Sequence, residues 1–264
     1  MSFGESRIIA TIEARMGSTR LPGKVLKPLA GEPMLYRIVE RARRSDYIDQ
    51  IVIATTGSPT DDDIVSLAKR MNVGYFRGSE DDVLGRLAGA VREFNPHIVV
   101  CLTGDNPLID PGLIDDMIEY FSAGKYDYIS STHMQHSELW QAERTFPAGV
   151  SVQVVKATAL LETDREATDL KTRGHGTLGI YHRADGKYKR GAFQSEGSYC
   201  QWRHPGMRLT VDTREDYELL GSIFEILYPS NPNFSTIDAI KLVLQRPELT
   251  SINAQIKQRI AGRK

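Results

Sequence analysis

Ile8-Ile9-Ala10-Thr11-Ile12-Glu13-Ala14-Arg15-Met16-Gly17-Ser18-Thr19-Arg20-Leu21-Pro22-Gly23-Lys24 decides the fold. A β-branched run of the kind that makes a buried parallel strand stops at Ala14 and gives way to a loop holding two glycines, two hydroxyls, two arginines and a lysine. Gly17 and Gly23 let the backbone approach a ligand closely, and a strand-to-helix loop points its amides outward, where phosphate oxygens are held. Arg15, Arg20 and Lys24 add three positive charges. A guanidinium forks two phosphate oxygens, and an ammonium follows charge that develops on a phosphoryl group. The composition suits a polyanion.

Spacing excludes two common phosphate motifs. Five residues separate Gly17 from Gly23-Lys24, and Val25 stands where a P-loop needs Ser or Thr for its magnesium. No Gly-x-Gly-x-x-Gly follows the strand, so a dinucleotide fingerprint is absent. What remains is Ala-Arg-x-Gly-Ser-x-Arg-Leu-x-x-Lys.

Working outward, 264 residues at 41% hydrophobic and 25% charged describe a soluble globular chain. The 33 basic residues are offset by 34 acidic ones, so any anion site is local and neither nucleic acid nor an anionic membrane is an expected partner. No apolar signal region opens the chain and no stretch approaches a membrane span, which predicts a cytoplasmic protein. Cys101 and Cys200 make no bridge framework or metal cluster, and both are expected to be buried, unpaired thiols.

Apolar runs alternate with amphipathic stretches, the pattern of a mostly parallel sheet flanked by helices. Residues 34–44 have helical spacing, Ile51 to Thr55 reads as a buried strand, and Asp61 to Asp63 suit a helix start better than a metal site. Val73 to Phe76 is a short strand, followed by a capped acidic start at Ser79 to Arg86. His97 to Leu102 is the clearest central strand, with His97 at its edge. It ends in Thr103-Gly104-Asp105, and ligands of open α/β sheets collect beyond strand carboxyl ends, where a carboxylate such as Asp105 can hold Mg²⁺ beside phosphate oxygens. Asp110 caps a helix over 111–121.

Residues 126–131 read as a strand and 132–148 as an irregular loop whose His133, His136 and Trp140 belong to the surface or a substrate pocket. Phe146 to Val155 alternates like a strand. Gly176 to His182 and Gly191 to Phe193 look like a hairpin around Ala184-Asp185-Gly186-Lys187. A strand ends at Val211, Asp212 or Thr213 caps, and an apolar stripe from Tyr217 to Leu227 forms a long helix. Thr236 to Gln245 and Thr250 to Ala261 read as packing helices.

Ala14 to Lys24, followed by Pro28-Leu29-x-Gly31-x-Pro33-Met34, resembles the opening of the sugar cytidylyltransferases, above all the spore-coat polysaccharide branch, and is similar to 3-deoxy-manno-octulosonate and acylneuraminate cytidylyltransferases. The resemblance implies one α/β domain over 1–264 of nucleotide-diphospho-sugar transferase type, with a smaller sugar-binding and dimerisation subregion at about 132–206 and hence a homodimer. It implies transfer of CMP from CTP to an acidic or modified surface-polysaccharide sugar, with release of pyrophosphate and dependence on Mg²⁺. Ala14, Arg15, Gly17, Ser18, Arg20 and Lys24 would hold the triphosphate, with Arg15, Lys24 and Asp105 catalytic. Asp105, from the family's Gly-Asp-x-Pro, and Asp212, from its Asp-Thr-x-Glu-Asp, would be the metal ligands. Ser79, Asp82 and Arg86 match a segment that lies close to the nucleotide, although helix capping explains Ser79 and Asp82 equally well.

The middle of the chain departs from the family. Ser151 and Gln153 replace both acids of a Gly-Leu-Asp-Val-Glu segment, and Gly174 stands where a Glu is usual. The acceptor is therefore left open, as is loss of activity. Three other functions remain on the same residues. A related glycosyltransferase usually carries Asp-x-Asp, which Gly104-Asp105-Asn106 is not; a transferase to a non-sugar alcohol, or a silent nucleotide-binding protein in polysaccharide assembly, fits the altered middle.

Overall fold

The computed structural model describes residues 6–132 and 144–257. The chain runs β1 (Ile8–Glu13), β2 (Pro28–Leu29), β3 (Glu32–Pro33), α1 (Met34–Ala42), β4 (Gln50–Thr56), α2 (Asp62–Arg70), β5 (Gly74–Gly78), α3 (Val83–Phe94), β6 (Ile98–Thr103) and α4 (Pro111–Ala123). It continues through β7 (Tyr128–Ser130), β8 (Gln153–Lys156), α5 (Ala157–Glu166), α6 (Leu170–Arg173), α7 (Leu178–Tyr181), β9 (Arg190–Ala192), α8 (Arg214–Leu227), α9 (Thr236–Gln245) and α10 (Pro247–Ile252).

Seven strands form one sheet in the order β5-β4-β1-β6-β8-β7-β9. β5, β4, β1 and β6 are mutually parallel, and β8 is antiparallel to both of its neighbours. The mostly parallel α/β sheet is therefore as expected. Both faces of β1 are covered, which explains its unbroken apolar run: Ile8, Ala10 and Ile12 face a core built with α1, α4 and α8, while Ile9 faces α3, α5 and α7. By the period of two, Thr11 and Glu13 share the face of Ile9.

α1 buries Met34, Leu35, Ile38, Val39 and Ala42 on one stripe. Its Arg41 is buried as well, because its guanidinium donates to the carbonyls of Ile109 at 2.7 Å and Phe234 at 2.9 Å. Burial pulls its pKa down to about 10. Asp110 caps α4 and also accepts from the Thr236 amide at 3.0 Å, so the loop that follows β6 is pinned from two sides.

Several expectations need correction. The hairpin does not form. Leu178–Tyr181 is a helical turn whose Leu178, Ile180 and Tyr181 are buried, with Tyr181 stacked on Tyr128, and β9 pairs in parallel with β7. A vacant sheet edge outweighed the turn signal at Asp185-Gly186. In the stretch from Phe146 to Val155 only Gln153 onward is strand, because Gly149 at φ +100° bends the chain against Leu209. Residues 207–211 are not a sheet strand; their backbone bonds to Ala148 and to Asp105. α10 spans Pro247–Ile252 and the chain leaves helix there, so the expected helix from Thr250 onward fails among the described residues. Cys101 is buried, whereas Cys200 is exposed. His133, His136 and Trp140 lie outside the described residues.

Candidate active site

The loop after β1 folds back on itself through Gly23, at φ +67°, whose amide donates to the Met16 carbonyl at 3.0 Å. Lys24 then opens a short 3-10 turn and faces the sheet's carboxyl end. The loop is anchored from below by Asp61, which is fully buried and accepts from the Met16 amide at 2.8 Å and from the hydroxyls of Thr55 and Thr56. Those bonds hold its carboxyl below the usual range although burial opposes them. Sequence reasoning placed Asp61 at a helix start; its tie to the loop after β1 could not be read from spacing.

Asp105 follows β6, and its Oδ1 accepts from the Thr103 hydroxyl at 2.7 Å. The Val211 amide donates to the Asp105 carbonyl at 2.8 Å, which brings Asp212 alongside. Asp212 is held from the other direction by Asp216, the fourth member of a capping box with Thr213 at the start of α8. Asp216 is completely buried and accepts from the Asp212 amide at 3.1 Å, from Arg208 Nη2 at 2.8 Å and from Asn253 Nδ2 at 2.8 Å. Burial works to raise its pKa, yet the bonds from Arg208 and Asn253 keep it below the usual carboxylate range.

These supports converge on Lys24. Its Nζ lies 3.0 Å from Asp105 Oδ2, 3.2 Å from Asp212 Oδ1 and 2.7 Å from the Val211 carbonyl, while Arg20 reaches Asp212 Oδ1 at 2.9 Å. Two carboxylates from distant segments thus share one cation position. Among the described residues there is no cluster of three or more His, Cys, Asp or Glu, so a metal here would complete its shell with phosphate oxygens and water, as Mg²⁺ prefers. The donor set fits a hard divalent cation.

The residues enclose a cavity of about 320 Å³. Of those expected at the site, Ala14, Arg15, Gly17, Ser18, Arg20 and Lys24 line it from the loop, Arg86 from α3, and Asp105 and Asp212 from the opposite wall. Arg15 reaches across to Glu80 at 2.9 Å. Ser79 and Asp82 do not line it: the Ser79 hydroxyl accepts from the Asp82 amide, and Asp82 caps α3 and pairs with Arg173 at 2.5 Å. Ser151, Gln153 and Gly174 are also absent from its walls, and the Gln153 side-chain carbonyl accepts from Tyr128 and Thr177. A larger cavity of about 890 Å³ opens at the other end of β6, but its Arg92 and Lys156 are engaged by Asp164 and Asp127.

One wall residue was missed by sequence reasoning. Glu13, the last residue of β1, points into the cavity, and burial pushes its pKa up to about 7, with Arg86 opposing and Asp105 adding to the rise. Thr103 and the buried Cys101 of β6 lie on the same side. A raised carboxyl pKa means the ionised form is penalised by folding: its contribution is most favourable below 4.5 and is lost as pH rises through about 7. Glu13→Gln should therefore be more stable than the parent at pH 8, by about 3 kcal/mol, and the difference should shrink to a few tenths near pH 4.5. Urea midpoints at the two pH values measure it.

With this geometry in place, comparison with known proteins is informative. The cytidylyltransferase family model matches residues 9–242. The spore coat polysaccharide biosynthesis protein SpsF of Bacillus subtilis is 35% identical over 248 residues, covering 91% of this chain and 95% of that protein. The structure of a cytidylyltransferase from Leptospira borgpetersenii superimposes with a TM-score of 0.82 at 30% identity, covering 97% of this chain and 99% of that one. A 3-deoxy-manno-octulosonate cytidylyltransferase of Geobacter sulfurreducens is 40% identical over 114 residues, 42% of this chain and 44% of that protein.

Proposed function

Because the chain belongs to the cytidylyltransferase family of nucleotidyltransferases, we propose that it transfers CMP from CTP to a hydroxyl of a surface-polysaccharide sugar, releasing pyrophosphate with the help of Mg²⁺. The observation that carries this is the Lys24 ammonium shared between Asp105 and Asp212 at the mouth of a loop bearing Arg15 and Arg20. In the reaction the acceptor oxygen bonds to the α-phosphorus, the bond from that phosphorus to the oxygen bridging to the β-phosphorus breaks, pyrophosphate leaves with that oxygen, and the hydroxyl proton passes to water. Mg²⁺, bound by Asp105 and Asp212, would screen phosphate charge. Arg15, Arg20 and Lys24 orient the triphosphate and stabilise charge that moves onto pyrophosphate. Lys24 and Arg20 exchange carboxylate partners for phosphate oxygens as the nucleotide enters.

The polysaccharide part of the reading is supported by the spore-coat relative, which matches nearly the whole chain. Likeness to the octulosonate enzymes covers less than half of either protein, so the particular sugar acid is not carried over.

Thermal unfolding with each nucleoside triphosphate, with and without Mg²⁺, tests the proposal without an acceptor. A ligand at a hundredfold its Kd stabilises the folded state by about 2.7 kcal/mol. CTP should raise Tm most, more so with Mg²⁺, and Asp105→Asn should remove the Mg²⁺-dependent part. No rise with any triphosphate, alongside a rise with a nucleotide sugar, would assign the cavity to a glycosyltransferase.

A further inference from the structure

β6 gives way to a turn through Thr103-Gly104-Asp105-Asn106, and the turn folds three of those side chains onto one another. The side-chain nitrogen of Asn106, itself buried, donates to the Thr103 hydroxyl oxygen at 2.8 Å. An amide nitrogen only donates, so the hydroxyl accepts there and aims its own proton at Asp105 Oδ1, 2.7 Å away. The backbone of Asp105 is pinned separately, because its carbonyl accepts from the Val211 amide at 2.8 Å and from the Thr210 hydroxyl at 3.2 Å. Its side chain has fewer ties. The carboxylate is 27% exposed, and among the described residues Lys24 and Thr103 are the side chains that bond to it.

Lys24 is the partner that departs. As its ammonium turns to phosphate oxygens, the Thr103 hydroxyl is left, among the described residues, as the side-chain group that holds the Asp105 carboxylate. Asp212 loses Lys24 and Arg20 in the same exchange but keeps Arg208, 3.4 Å from its Oδ2. With Oδ1 of Asp105 engaged by Thr103, Oδ2 is the oxygen turned to the position that Lys24 fills. Hydrogen-bond partners that orient a metal-binding carboxylate from behind are worth about 10- to 100-fold in metal affinity.

We infer that Thr103 is a positioning residue for Asp105: its hydroxyl holds the carboxylate in place for the divalent cation once Lys24 has turned away. This rests on the nucleotide and metal reading of the cavity given above. Thr103 also lines the cavity, where its hydroxyl could meet the nucleotide itself, and the experiment separates the two roles.

CTP affinity is to be measured by calorimetry, without acceptor, in EDTA and over a series of Mn²⁺ concentrations, for the parent, Thr103→Val and Thr103→Ser. Valine keeps the shape of threonine and removes the hydroxyl; serine keeps the hydroxyl. In EDTA all three should bind CTP within about twofold of one another. The Mn²⁺ concentration that gives half of the metal-dependent gain should rise about tenfold or more in Thr103→Val and stay within about threefold of the parent in Thr103→Ser. Thr103→Val should also melt lower, because buried Asn106 loses an acceptor, and a merely structural role predicts that loss alone. An Mn²⁺ dependence in Thr103→Val that superimposes on the parent's overturns the inference. So does an equal loss of CTP affinity in EDTA and in Mn²⁺, which would give the hydroxyl to the nucleotide, or a failure of Thr103→Ser to restore the parent's Mn²⁺ dependence. A parent that binds no triphosphate, or gains nothing from Mn²⁺, refutes instead the reading on which the inference rests.

Discussion

Lys24→Ala should lower turnover about a thousandfold, with a far smaller change in the KM for CTP. The ammonium is held between Asp105 and Asp212, within 3.2 Å of each, and on the proposed reaction it meets the phosphates of the leaving group. A preorganised donor aimed at developing charge is worth about 10²–10³ in turnover, and here the loss includes the group that keeps two carboxylates in register. Pyrophosphate release at saturating CTP measures the effect. Turnover within a fewfold of the parent would remove Lys24 from the chemistry. The same substitution has a second consequence in the nucleotide-free protein: with the competing ammonium gone, Asp105 and Asp212 should bind Mn²⁺ more tightly, which paramagnetic titration reads without any catalysis.

The largest effect on stability is expected from Arg208→Met. Arg208 and Asp216 form a nearly solvent-free pair at 2.8 Å, with side chains 6% and 0% exposed, and Arg208 also reaches Asp212 at 3.4 Å. Removing Arg208 leaves Asp216 charged and buried, with Asn253 and two backbone amides as its remaining partners among the described residues. Breaking such a pair costs about 3–5 kcal/mol, whereas replacing both members by apolar residues costs far less. Arg208→Met should thus lower the urea midpoint strongly, and Arg208→Met with Asp216→Leu should recover much of it. The pH dependence has a definite sign. Folding depresses the Asp216 pKa below 3.8, so the stabilisation is present above that value and is lost as pH falls through the lower folded value.

The site was legible in the sequence where chemistry and local geometry coincide. Arg15, Gly17, Ser18, Arg20 and Lys24 occupy one loop directly after a buried strand, and Asp105 stands one turn beyond another, so strand-end logic placed both on the same edge. The middle of the chain was legible only in part. Gly-Thr-Leu-Gly-Ile-Tyr has no strong local preference, and its packing against α5 and Tyr128 decided that it coils rather than extends. Ser79 and Asp82 show the reverse ambiguity: the same side chains that suit a ligand also suit a helix cap, and the cap prevailed because an N-terminal amide lay within reach.

The sequence by itself determined the alternation of strand and helix, the cationic loop after β1 and the carboxylate at the end of β6, because each depends on periodicity or on residues close together in the chain. Only the tertiary structure decided that Asp212 meets Lys24 across 188 positions, that Asp61 anchors the loop, and that Glu13 ends as a wall of the cavity. Those outcomes depend on which segments cover a position and on what remains within hydrogen-bond reach once they do. Burial and pairing are properties of the assembled packing, and a local pattern does not contain them.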